Sequence, residues 1–161
     1  IDKRIADAGM TPTFKGYGGF PAAACVSVNE VVIHGIPGNR VINEGDIVSV
    51  DMGSTFQGYV SDAARTYAVG RVSKEAERLI EAAREGFFAA LEYCRAGSKV
   101  SDISHAVQKK IEEYGYGIVR DYTGHGMGRV LHEDPQIPNY GKPGRGATLR
   151  SGMTIAIEPM I

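Results

Sequence analysis

Ile47-Val-Ser-Val-Asp51-Met-Gly-Ser-Thr-Phe-Gln-Gly-Tyr-Val-Ser-Asp62-Ala-Ala-Arg-Thr-Tyr67 is the stretch that decides the fold. Alternation and enrichment in Val, Ile, Thr and Tyr predict strands over 47–52 and 59–69. Gln57-Gly58 suits the tight turn between them, because glycine takes positive φ without a Cβ penalty. With the turn there, Phe56 faces Tyr59, Gly53 faces Asp62 and Asp51 faces Ala64. Asp51 and Asp62 then become diagonal neighbours on one sheet face, within roughly 7–8 Å at the backbone. Two carboxylates so placed repel and call for a cation, whereas a turn one residue longer or shorter would send them to opposite faces. The plainer reading is two exposed strand acids, one of them paired with Arg65. The hairpin alone leaves both readings open.

Outward from this hairpin, strand-like runs fall at 24–28, 31–34, 117–121 and 154–158. Helical periodicity predicts a helix over 74–95, with Ser73 as N-cap, Gly97 after the end, and Ala76, Leu79, Ile80, Ala83, Phe87, Leu91 and Cys94 on one face. A second helix is expected over 102–114, with Ile103, Val107, Ile111 and Tyr114 facing in and Gly115 ending it. Residues 1–8 before Gly9 read as the last turns of a helix. The order predicts an α+β (two-layer α/β) fold of two similar halves, each an antiparallel sheet with helices on one side, in a single domain over 1–161.

The chain has 161 residues with 18 Lys plus Arg against 19 Asp plus Glu, so a net charge of −1 gives no basic surplus for nucleic acid. No run approaches the roughly 18 apolar residues of a membrane span. Cys25 and Cys94 make no framework of disulfides, which points to a reducing, cytoplasmic setting. The chain opens on Ile1 and closes on the apolar run Met153-Thr-Ile-Ala-Ile-Glu-Pro-Met-Ile161. Native termini are usually exposed and polar, so an excised or incomplete domain is expected.

Three further segments carry chemistry. Tyr122-Thr-Gly-His125-Gly-Met-Gly-Arg-Val-Leu-His132-Glu-Asp-Pro flanks His125 with glycines, and a turn over 126–128 would bring His132 to the same cavity. A lone histidine is more often a satisfied core residue, and the Gly124-x-Gly126-x-Gly128 pattern is only a weak phosphate-loop signal. His34 precedes a Pro37-Gly38 turn. Glu158 sits in an apolar run, where a carboxylate is costly unless paired or metal-bound. His105 reads as surface. Asp51, Asp62, His125 and Glu158 together form an oxygen-rich, one-imidazole donor set, suited to Mn²⁺, Fe²⁺, Co²⁺ or Zn²⁺ rather than to a thiolate zinc site.

On these residues the sequence resembles the type I methionine aminopeptidases of the pita-bread fold, from Thr11-Pro-Thr-Phe-Lys-Gly-Tyr17 to Ile157-Glu158-Pro159. The most specific block runs from Tyr122 to Tyr140. The resemblance implies removal of the N-terminal methionine from nascent polypeptides, by attack of a metal-bound hydroxide on the first peptide bond. It implies two divalent ions (Co²⁺, Mn²⁺, Fe²⁺ or Zn²⁺), with Asp51, Asp62, His125 and Glu158 as ligands and Glu158 bridging or orienting the water. His132 is the implied donor to the substrate carbonyl, and His34 the implied contact to the substrate backbone. Phe14, Tyr17, Phe20, Cys25 and Leu131 match the wall of the methionine pocket. The family carries a further bridging glutamate after the Glu158 segment, so weak or no activity is expected of the chain as it stands. A monomer is expected, with ribosome association among the partners the resemblance allows and neither nucleic acid nor membrane among them. Two alternatives remain. One is a proline-specific aminopeptidase or dipeptidase of the same fold, which the short path from His125 to His132 disfavours. The other is a non-catalytic pita-bread binding protein, expected to have lost ligands that this chain retains.

Overall fold

The computed structural model describes residues 1–161, which divide into two compact units: Ile1–Glu77 with Gly128–Leu131, and Arg78–Met127 with His132–Ile161. The first contains helix α1 (Asp2–Asp7) and strands β1 (Thr11–Pro12), β2 (Cys25–Val28), β3 (Ile47–Phe56) and β4 (Tyr59–Ala68). All pairings are antiparallel: β4 takes one edge of β3, while β1 and β2 share the other. The β3–β4 register is the expected one, with Phe56 opposite Tyr59, Gly53 opposite Asp62 and Asp51 opposite Ala64. Both turn residues, Gln57 (φ 49°) and Gly58 (φ 79°), are left-handed, the geometry that matches strand twist in a two-residue hairpin.

The second unit holds most of helix α2 (Lys74–Leu91), helix α3 (Val100–Glu113), and strands β5 (Thr123–Met127), β6 (Glu133–Pro138) and β7 (Thr154–Ala156), in the order β6-β5-β7. Its core is Ala82, Ala90, Val100, Ile103, Val107, Ile111, Ile137 and Leu149. Helix α3 buries the expected Ile103, Val107 and Ile111. Helix α2 does not bury the expected stripe. Its buried residues are Ala82, Gly86 and Ala90, while Leu91 is 43% exposed. The reason is close approach, since a Cβ on Gly86 would lie 2.9 Å from Ile111 Cδ1. Ala82, Gly86 and Ala90, four residues apart, form the line that faces the core, and at Gly86 the Ile111 side chain fills the space a Cβ would take.

Two expected strands are absent. Residues 31–34 form no ladder: His34 has φ 58°, and Gly35 folds back so that a Cβ on it would lie 2.2 Å from the Val26 carbonyl oxygen. Residues 117–121 make a single backbone bond, Val119 N–H to the Met160 carbonyl at 3.0 Å, and no strand. Conversely, the glycine-rich segment around His125, not among the expected strands and expected to turn over 126–128, is the central strand β5 (Thr123–Met127).

Candidate functional site

In the first unit, Asp51 lies opposite Ala64 on one side and Cys25 on the other. Opposed residues share a face, as do residues two apart, so Cys25, Asp51, Val60 and Asp62 occupy one face of the sheet. Gly53 lies on it too, and its missing side chain makes room for the Phe14 ring: a Cβ there would lie 2.7 Å from Phe14 Cε1. Phe14, Cys25 and Leu131 are buried together, with Phe20 and Val60 packed against them. An acidic patch therefore adjoins an apolar, sulfur-containing one on the same face. Burial pushes the Cys25 thiol up to about 11, and the Asp51 and Asp62 charges push in the same direction. The thiol is held neutral and behaves as a small apolar group.

Tyr17 lies outside this cluster, in a short 3₁₀ turn, and is 46% exposed. His34 is exposed and is fixed by its neighbour. The Gly35 N–H donates to Ser27 Oγ at 3.0 Å, and the Gly35 carbonyl accepts from Val26 N–H at 2.8 Å.

In the second unit, His125 is buried on β5, opposite Gln136 of β6 and Ala156 of β7. Its glycine neighbours answer to packing. A Cβ on Gly124 would lie 2.3 Å from the Ala156 carbonyl oxygen, and one on Gly126 would lie 2.2 Å from that of Asp134. Gly126 sits at the register shift that bulges β6 around Asp134-Pro135, a cis peptide. Glu158 follows Ala156 by two positions and so continues on the face of His125. The His125 Nδ1–H donates to the Gly126 carbonyl at 2.8 Å. In the neutral ring this turns the Nε2 lone pair outward, 3.1 Å from Glu158 Oε1. That oxygen is buried and accepts no hydrogen bond. Acceptor facing acceptor is stable only with a proton on the ring or a cation shared by both. The donor types fit a divalent first-row metal.

His132 is exposed, its ring centroid 4.3 Å from that of His125 at an interplanar angle of 62°. With Thr123, Glu133, Asp134 and Gln136, the two histidines line an open cleft of about 380 Å³. Sequence reasoning passed over Thr123, Gln136 and Asn139. Thr123 carries a readable signal once β5 is a strand, since it lies two residues before His125. Gln136 required the β5–β6 register, which the bulge hides. Asn139, 1% exposed, donates from Nδ2 to the Glu158 carbonyl at 2.6 Å, and only its polar character between Pro138 and Tyr140 marks it in the sequence.

The profile of metallopeptidase family M24 matches residues 1–161. The methionine aminopeptidase of Clostridium acetobutylicum is 57% identical over 93% of this chain and 60% of its own length. The crystal structure of methionine aminopeptidase from Rickettsia prowazekii superposes with TM-score 0.96 at 41% identity, covering 98% of this chain and 64% of that one. A prolidase from Pyrococcus horikoshii matches at TM-score 0.74 and 31% identity, over 84% of this chain and 39% of the prolidase. The chain thus spans about 60% of the length of the curated relative from C. acetobutylicum, and the α+β pita-bread fold expected from the sequence is that of these neighbours. The match over every residue settles the kinship: this chain belongs to metallopeptidase family M24.

Proposed function

We propose that the chain carries the metal and methionine sites of a methionine aminopeptidase acting on the N-termini of newly made polypeptides in the cytoplasm, within one catalytic domain. Asp51, Asp62, His125 and Glu158 are the proposed ligands of two divalent ions. Such ions, when bound, acidify water and polarise a substrate carbonyl. The chain's own residues do the rest. Glu158 orients the attacking water. His132 donates to the carbonyl oxygen as charge builds on it. His34 contacts the substrate backbone beside the scissile amide. Phe14, Phe20, Cys25 and Leu131 enclose the first side chain, where a thioether gains sulfur–aromatic contact and a charged group would lose its hydration without a partner; Tyr17, assigned to the same wall by the resemblance, stands outside this buried cluster.

The observation that carries this reading is the shared face of the first unit's sheet, on which Asp51 and Asp62 adjoin the Phe14, Cys25 and Leu131 cluster. Carboxylates for a metal stand beside an apolar wall for methionine. The higher identity to methionine aminopeptidases than to the prolidase supports it. The experiment measures metal content by mass spectrometry and cleavage of Met-Ala-Ser, Lys-Ala-Ser, Glu-Ala-Ser and Ala-Pro with Mn²⁺ supplied. Methionine release is expected to dominate. Equal cleavage of the Lys and Glu peptides, or preference for Ala-Pro, would overturn the assignment.

A further inference from the structure

Glu158 lies past the end of the sheet ladder. Strand β7 stops at Ala156, Pro159 follows and has no N–H to donate, and no strand pairing fixes the Glu158 backbone. Yet the Glu158 carboxylate sits 3.1 Å from His125 Nε2. Something other than the ladder must hold this residue in place. Asn139 stands just beyond the end of β6 and is 1% exposed. Its side chain reaches past the start of the central strand to donate from Nδ2 to the Glu158 carbonyl at 2.6 Å. The carbonyl oxygen can only accept, so the amide orientation follows from chemistry. A buried amide is expensive to keep unless its bonds are made, and this one is spent on the backbone of a single residue. On the other side of that backbone, Ile155 and Ile157 pack toward the core.

We infer that Asn139 is a positioning residue for Glu158: it stands in for the missing ladder bond and fixes the carboxylate at the distance from His125 that a shared cation requires. The inference rests on the metal reading given above and adds to it a residue that touches no ion itself.

The test is Mn²⁺ titration calorimetry and thermal melting of the metal-free 161-residue chain and three variants. Asn139→Asp keeps the volume but replaces the donor with a carboxylate facing a carbonyl. Asn139→Ser removes the reach without burying a charge, and serves if the first variant does not fold. Ile137→Val trims the same core, where Ile137 is 1% exposed, without touching Glu158. Either Asn139 variant should weaken Mn²⁺ binding roughly 10- to 100-fold, as loss of the groups that orient metal ligands does. Ile137→Val should melt earlier and bind Mn²⁺ as the unsubstituted chain does. Unchanged Mn²⁺ affinity in both Asn139 variants would overturn the positioning role alone. So would losses of affinity that track melting temperature equally in all three variants. Failure of the unsubstituted chain to bind Mn²⁺ would overturn the metal reading, and this inference with it.

Discussion

Gly126→Ala isolates what the bulge beside His125 requires. The backbone of Gly126 is outside the left-handed region, so alanine meets no conformational penalty there. The cost is purely steric. The new Cβ would lie 2.2 Å from the Asp134 carbonyl oxygen and 2.7 Å from its carbon, and the strands must part until the closest contact exceeds 3.0 Å. Neither neighbour is a flexible side-chain end; both are backbone. Overpacking of this kind costs about 1–3 kcal/mol, and a clash with backbone belongs in the upper half, about 2–3 kcal/mol. For a chain of this size that corresponds to a fall in Tm of about 4–12 °C. Gly117→Ala is the control, because a Cβ there meets nothing within 4 Å and its φ is likewise not left-handed. It should be neutral or stabilise by about 0.4–1 kcal/mol through the unfolded state. Thermal melts followed by circular dichroism measure both. If the two alanine variants melt together, the close approach at Gly126 is not what the glycine is for.

His132→Ala should lower kcat by about 10²–10³ with metal content nearly unchanged if the imidazole donates to the developing oxyanion, whereas Asp62→Ala should lose metal and rate together; the opposite pattern would reverse the two roles. Cys25, with its thiol pushed up to about 11 from 9.0, should resist iodoacetamide at pH 8 and react only as the pH nears that value. Because the native thiol keeps its proton where the unfolded one has lost it, stability should fall as pH rises from about 9 toward 11; a melting temperature flat across that window in wild type, or equally sloped in Cys25→Ser, would count against burial as the cause. Gln57→Asn should raise stability by up to about 1 kcal/mol, since Asn tolerates the φ of 49° that Gln57 adopts, and a drop in Tm would argue that Gln57 makes a contact its exposure does not suggest.

The β3–β4 hairpin was legible because a two-residue turn and period-two alternation leave one register that keeps Asp51 and Asp62 together. Helix α3 was legible because its large apolar residues are the ones it buries. Helix α2 was not, since the residues it buries are the small Ala82, Gly86 and Ala90, and hydrophobic periodicity weights size rather than closeness. Residues 31–34 have strand composition, but His34 and Gly35 turn the backbone toward Ser27 instead of along a neighbour. The glycines around His125 signal loop by propensity; their cause is tertiary, two carbonyl oxygens that occupy the space of a Cβ. Asp51 and Asp62 stood out as like charges brought side by side, His125 by its flanking glycines, and Glu158 as a carboxylate in an apolar run. Asn139 escaped notice because its partner is a backbone oxygen distant in sequence.

The strand order β6-β5-β7 also sets a sequence in time. The β3–β4 and β5–β6 pairs and the α2–α3 pair close short loops and can form early, whereas β7 must return from far along the chain to dock on β5 through three residue pairs, His125–Ala156 to Met127–Thr154. Glu158 arrives with it. Competence to hold a cation beside His125 should therefore return after the β5–β6 hairpin on refolding, lagging the recovery of helical signal, and stopped-flow capture of Mn²⁺ would report the docking of β7.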